Sequence, residues 1–375
     1  MFNLYILRMG YGPGFIGLVS AVGSIVVAIV CLMISTLERR WGTRDLIITG
    51  LILNITASLL TPLADLLPLA WQQGWILAIN GLNAVGQALY LVNSTPFLAA
   101  LSGDKERGHV FSVQSAIWPL NGFIGSVIAG FLPLIFSSIL HTSIGNPGPF
   151  RFALLVSGAA SLLGLWTMLK TQPRSIEPHQ STRFQLKAAP LGIITLISLL
   201  VAFQVAGEWT ARLFTNVYFD AGLKLPTSQI GVLMGIGQLV AVPAALITPL
   251  LAGRAGNKLT FIGASIGMAL CLLPLGLMPV WTAAGLGYMG VIMMASIARP
   301  AIQTIQMEVV SPSWRAAMAS ATTLTASLSM GVVSYLGGLI IPSLGYPFFF
   351  SGGAILTTFA AVFYLVYSRL SRSLR

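Results

Sequence analysis

Charge is what this chain most lacks. Its 375 residues include 20 Lys and Arg and 9 Asp and Glu, 8% in all, where a soluble domain carries about a quarter. With 56% apolar residues and a mean hydropathy of +0.87, a water-soluble enzyme and a disordered chain are both excluded. The only cysteines, Cys31 and Cys271, fall inside apolar runs and build no disulfide framework. His109, His141 and His179 sit in different loops at no ligand spacing, so no metal or other cofactor is expected. No Gly-x-x-x-x-Gly-Lys-Ser/Thr run cradles a nucleotide, and Asp65 and Asp220, in expected outer loops, form no triad with Ser and His. The net charge of +11 comes from cations that are thinly scattered and not interleaved with aromatics, which excludes a nucleic-acid groove. Met1 to Gly14 has no basic start followed by an apolar run long enough for a cleavable signal.

Long apolar runs are abundant. They extend over about 15–35, 46–67, 75–101, 110–136 and 150–169, and then over 189–214, 230–251, 260–278, 283–307, 316–341 and 346–367. At about 20 residues per crossing these predict eleven transmembrane helices, because an isolated segment in lipid must satisfy its own backbone hydrogen bonds. Most Lys and Arg fall in alternate loops, including Arg39, Arg40, Arg44, Lys105, Arg107, Arg174, Arg254, Lys258 and Arg315, whereas the opposite loops hold only Arg8, Arg151 and Lys224. The bias predicts a cytoplasmic C-terminus. Met1 then falls on the outside.

The chain repeats itself. Asn3, Tyr5 and Pro13 recur as Asn216, Tyr218 and Pro226, and Ile16, Gly17, Gly23, Leu37, Arg40 and Gly42 recur as Ile230, Gly231, Gly237, Leu251, Arg254 and Gly256. Arg107, Ser112 and Gly130 recur as Arg315, Ser320 and Gly338. Matches in order at nearly constant offsets point to a duplicated unit, and a parallel repeat is a signature of transporters. The second copy opens with the helix at 189–214, while the first has only Met1 and Phe2 ahead of Asn3. The repeat therefore predicts a further first helix, encoded upstream of Met1; the alternative is a natural eleven-span protein with its N-terminus outside. The expected organisation is a five-span N-terminal bundle at 1–169, a cytoplasmic central loop at 170–188 and a six-span C-terminal bundle at 189–375.

In these features the chain resembles the major facilitator superfamily. That family's loop motif after the second helix, G-x-L-A-D-R-x-G-R-R, is met by Leu37, Arg40, Gly42 and Arg44, and in the second copy by Leu251, Arg254, Gly256 and Lys258. The family's acid is replaced by Arg39 and Gly253 and its first glycine by Ser35 and Pro249, and Glu38 is the neighbouring acid that can stand in. The family's fourth-helix arginine has no counterpart within 75–101. The resemblance implies an all-α polytopic membrane protein with two pseudo-symmetric bundles, eleven helices present of an expected twelve. Glu38, Arg40, Gly42, Arg44, Arg254, Gly256 and Lys258 are candidate gating residues; the other reading is that they only fix topology, with the glycines allowing a tight turn and the cations anchoring it.

Polar side chains in a spanning helix are costly unless they face the bundle interior. Asn80, Asn83, Gln87 and Tyr90 share one face of their helix, as do Gln114, Trp118 and Asn121 on the next. Gln204, Glu208 and Arg212 recur every fourth residue, and Ser296, Arg299, Gln303 and Gln306 form a fourth stripe, with Gln238 adding an amide. Each stripe can be read as interhelical hydrogen bonding alone; convergence of five helices favours a solute lining of Asn83, Gln87, Gln114, Trp118, Asn121, Gln204, Gln238, Arg299 and Gln303. Glu208 and Arg212 can pair along their helix, as a structural ion pair or as a coupling site.

The expected function is therefore secondary transport of a small polar or amphipathic organic solute by alternating access, with protons as a candidate coupling ion through Glu208. A solute-sensing or scaffolding membrane protein on the same fold and an inactive truncated product are the alternatives. A sensor usually appends a signalling domain, and only eight residues follow Tyr367. The expected partners are the solute, the proton and the lipid bilayer, with no nucleic acid. A multi-pass monomer of the plasma membrane, the inner membrane in a bacterium, is expected.

Overall fold

The computed structural model describes residues 1–101, 107–171, 190–311 and 314–373. Most of the predicted central loop lies outside the described residues, as do Lys105, Arg174, His179, Arg183, Lys187 and Arg375 and the side chains of Ser35, Arg39, Arg107, His109, Arg369 and Arg372. All regular structure among the described residues is helical: α1 (Phe2–Arg8), α2 (Pro13–Trp41), α3 (Thr43–Leu60) with a 3₁₀ extension (Thr61–Leu66), α4 (Leu69–Leu101), α5 (Arg107–Ile139), α6 (Pro147–Lys170), α7 (Leu191–Val217) with a π turn (Tyr218–Gly222), α8 (Thr227–Leu277), α9 (Trp281–Val309) and α10 (Arg315–Ser373).

Nine stretches among the described residues are long and apolar enough to cross a membrane. Two of them, Thr227–Leu277 and Ala317–Leu365, have about twice the length of one crossing. Each is broken by a glycine with left-handed φ, Gly256 at φ 81°, ψ 154° in α8 and Gly345 at φ 81°, ψ 173° in α10. Each therefore reads as two crossings joined by a tight turn, which accommodates the eleven expected from the sequence. Gly42, between α2 and α3, has nearly the same backbone as Gly256, φ 76°, ψ 154°. A Cβ would be strained at either position.

Lipid leaves hydroxyl groups few partners, and here many bond back to the carbonyl one turn earlier, as do Ser24 to Ser20, Thr210 to Ala206 and Thr248 to Ala244. Large apolar side chains remain on the outside, among them Leu246, Leu250, Leu270, Leu339 and Phe359. On a spanning helix that is the surface acyl chains require.

The chain divides into two compact units. The first contains residues 1–11, 18–118 and 132–185; the second contains 12–17, 119–131 and 186–375. In the first unit α3 packs on α4 and α6. Gly50 and Gly86 allow the α3 and α4 backbones to touch, since a Cβ on Gly86 would stand 2.6 Å from the Gly50 carbonyl. Tyr5 is fully buried and its hydroxyl reaches the Pro62 carbonyl (3.2 Å) and Asp65 Oδ1 (3.1 Å). Burial, followed by the Asp65 charge, holds that phenol well above its ordinary range. Arg151 completes the cluster at 3.5 Å from Asp65. Arg44 donates to the carbonyls of Leu169 and Thr171 (both 3.1 Å), so the α2–α3 turn holds the C-terminal end of α6 through a favourable cation.

In the second unit α7 packs on α10 and α8 on α9 and α10 around a core that includes Leu200, Phe261, Ala298, Ile302 and Tyr364. Glycines again set the closest approaches. A Cβ on Gly207 would overlap Thr357 Oγ1, and one on Gly353 would stand 2.8 Å from Thr210. The repeated glycines pair crosswise within this unit: a Cβ on Gly17 would come 2.8 Å from the Gly338 Cα, and one on Gly130 2.8 Å from the Gly231 Cα. The sequence repeat thus marks two of the places where helix backbones meet directly.

Candidate functional site

Helix periodicity places Glu208 and Arg212 one turn apart on α7, and Arg212 Nε donates to Glu208 Oε1 at 2.6 Å. Because Gly207 and Thr210 press α7 onto α10, Glu208 and Arg212 are turned away from that contact and toward α9. There Arg299 completes the cluster, its terminal nitrogen donating to the same Oε1 at 2.6 Å. Glu208 is almost wholly buried, its side chain 5% exposed, while Arg212 is 26% and Arg299 56% exposed. Arg299 has no charged residue within two turns along its own helix and finds one across helices, 91 residues away.

Tyr288, three turns before Arg299 on α9, extends the network. It is buried, hydrogen-bonded to Gln238 of α8 and electrostatically coupled to Arg212 and Glu208. Its ring occupies the space left by Gly237, where a Cβ would stand 2.5 Å from the ring. Gln238 also lies along Gly122 of α5, a Cβ there standing 3.2 Å from Gln238 Cγ. The sequence reading missed Tyr288, although Tyr288, Ile292, Ser296, Arg299 and Gln303 follow one another at helical steps along one stripe.

The two faces of α9 differ sharply. Ala298, Ala301, Ile302 and Ile305 are buried, whereas Arg299 and Gln303 are exposed and Ser296 is half-buried beside them. Gln204, one turn before Glu208, is buried with its Nε2 lacking a hydrogen-bond partner among the described residues. Gln306 is buried, at 3.5 Å from Thr322 Oγ1.

The remaining candidates are placed differently. Asn83 lines a cavity of about 180 Å³ in the first unit together with Phe2, Ser58, Thr61, Asn80, Leu154 and Ser157. Asn80 is held there by its own bond from Nδ2 to the Val19 carbonyl (2.8 Å), lying over Gly23. Gln87 is exposed on α4; on α5 Gln114 is half-buried, and Trp118 and Asn121 are exposed. In the turns, Glu38 is half-buried and Arg40, Arg254 and Lys258 are exposed. No group of three or more His, Cys, Asp or Glu among the described residues could hold a metal ion.

Long apolar helices with a buried ion-pair network and small-residue helix crossings define a polytopic helical membrane protein. Family comparison makes the assignment specific: residues 1–333 match the model of the Major Facilitator Superfamily, and the chain belongs to that family. No curated protein matches the chain. Among solved structures it is similar to a D-xylose-proton symporter (TM-score 0.76, 14% identity, covering 97% of this chain and 90% of that one). A bacterial homolog of the human lysosomal transporter Spinster, inward-facing and unoccupied, gives a TM-score of 0.71 at 17% identity over 97% of this chain and 91% of that one. A mutant of the nucleoside transporter NupG gives 0.69 at 13% identity over 98% and 93%. Identities this low speak for the shared fold alone, and that fold is one of membrane transporters.

Proposed function

We propose that the protein is a secondary transporter that carries a small polar or amphipathic organic solute by alternating access, with the α7–α9 network as its principal solute site. One observation carries the reading: the exposed stripe of α9 is polar where a lipid-facing stripe would be apolar. A guanidinium at mid-span costs about 2.5 to 3.5 kcal/mol on insertion scales, so Arg299 and Gln303 belong to a water-filled hollow. Gln238, Arg299 and Gln303 contact the solute, and Glu208 and Arg212 hold Arg299 in position. Asn83, Gln87, Gln114, Trp118, Asn121 and Gln204 are assigned to the lining on stripe geometry alone.

Glu208 is the carboxylate through which a proton gradient would couple, and the turns at Gly42 and Gly256 with their cations are the gating elements. The protein acts as a monomer in the plasma membrane, or the inner membrane of a bacterium, with its C-terminus cytoplasmic. A panel of radiolabelled solutes in sealed liposomes, with and without an imposed pH difference, tests the reading. Uptake of at least one solute is expected, lost in Arg299→Ala at undiminished expression. Unchanged kinetics in that variant would refute the role of the site. If Glu208→Gln left both uptake and its pH dependence intact, proton coupling would fall while transport stood.

A further inference from the structure

Resting on the transport reading, the charge count at the site names the class of solute. One carboxylate faces two guanidiniums, and among the described residues no other carboxylate pairs with either arginine. The network therefore carries a surplus of one positive charge. Inside a membrane such a surplus is expensive unless water or a counter-ion reaches it.

The three charges are not equally placed. Glu208 is buried and accepts from both arginines on a single oxygen. Arg212 is mostly covered and also feels Tyr288 electrostatically. Arg299 is the open member, more than half exposed, with one terminal nitrogen on Glu208. A guanidinium has five N–H donors in a planar fork, so donors remain for a second acceptor, and two parallel bonds to a planar anion are its preferred geometry. Beside that fork stand the neutral polar groups Ser296 and Gln303, able to donate and accept but adding no charge. The exposed surfaces of α8 and α10 carry Leu246, Leu250, Leu339 and Phe359 instead.

We infer that the site takes an organic monoanion of carboxylate type, which seats on Arg299 and competes with Glu208 for it. A single negative charge brings the network to neutrality. A neutral solute would leave the surplus uncompensated, a cation would add to it, and a dianion would reverse it. Glu208 is the internal counter-ion that holds Arg299 in place while no solute is bound, and it yields part of its claim when one arrives.

The test uses the full chain, purified into phosphatidylcholine vesicles so that no anionic headgroup competes. Thermal unfolding is followed with three matched sets: butyrate, butyramide and butylamine; benzoate, benzamide and benzylamine; gluconate, gluconamide and glucamine. Any solute taken up in the transport panel is added with its charge-altered partner. The expected result is stabilisation confined to carboxylates, with affinity about tenfold weaker or worse in Arg299→Gln, partly retained in Arg299→Lys, which keeps the charge without the fork, and stronger in Glu208→Gln, which removes the competitor. The ligand-free melting temperature of each variant separates loss of binding from loss of fold. Stabilisation by amides or amines equal to that by the carboxylates, carboxylate binding that survives Arg299→Gln, or no stabilisation by any carboxylate would overturn the inference. If the uptake panel then yields a neutral or cationic solute, transport stands and the anion class falls; if nothing is taken up, the transport reading falls first.

Discussion

The two halves of the repeat use the same glycine cradle for different ends. In the first unit Gly23 makes room for Asn80, and in the second its equivalent Gly237 makes room for Tyr288. The offset of 208 that relates Arg107 to Arg315 also relates Asn80 to Tyr288 and Leu91 to Arg299. Three turns beyond the cradle, the first half therefore exposes a leucine, 40% accessible, where the second exposes a guanidinium. Tyr5 and Tyr218 diverge in the same manner: Tyr5 is tied to Asp65 through its hydroxyl, while Tyr218 sits among Phe219, Tyr346 and Phe350 with ring centroids 4.8 to 6.4 Å away. The repeat keeps glycine at Gly17, Gly130, Gly231 and Gly338, where helix backbones meet, and differs at the matching positions of Leu91 and Arg299. On the proposed reading, charge recognition is the task of one half.

That asymmetry can be broken most forcefully at its charged end. Arg212→Ala combined with Arg299→Ala strands Glu208 as an unpaired buried carboxylate and is expected to cost about 3 to 5 kcal/mol, read as a lower midpoint in thermal or denaturant unfolding. Introducing charge at the matching place in the first half is the mirror experiment. Leu91→Arg has no acid assigned to meet it and should cost about 2.5 to 3.5 kcal/mol, measured as reduced membrane insertion, against little change for Leu91→Ile. The cradles offer a finer test. Gly237→Ala drives a Cβ into the rigid Tyr288 ring and should cost about 1 to 3 kcal/mol, whereas Gly23→Ala meets the Asn80 amide, which can swing aside, and should cost less. The smallest difference between the halves is expected at the paired turns: Gly42→Ala and Gly256→Ala each force a positive φ with extended ψ on an L-residue and should each lose about 1 to 3 kcal/mol, nearly equally.

Much of this architecture is legible in the amino-acid sequence. Hydropathy gave the crossings because lipid permits only helices there, and Gly42 and Gly256 announced their turns by recurring at loop positions. Helix ends were less readable: α4 starts at Leu69 rather than near Trp75, and α7 continues to Val217 and into a π turn, since a helix need not stop where the hydrocarbon does. Of the site, the Glu208–Arg212 pair was visible as a four-residue step. Its link to Arg299 was not, because contact across 91 residues depends on how α7 is rotated by Gly207 and Thr210 against α10. Tyr288 was overlooked because an aromatic in an apolar run carries no polar signal of its own; only its register with Arg299 betrays it. Asn83, grouped by its stripe with Gln87, lines a cavity in the first unit while Gln87 is exposed, a distinction that helical spacing cannot make.

The claim on which the rest depends is that the polar face of α9 meets water at mid-membrane. In a chain carrying Cys31→Ser and Cys271→Ser, Gln303→Cys and Leu270→Cys are each exposed to a charged, membrane-impermeant thiosulfonate, and labelling rates are compared. Labelling of Gln303→Cys that is fast relative to Leu270→Cys and slowed by solute is the predicted result; a Gln303→Cys thiol as unreactive as that of Leu270→Cys would contradict it.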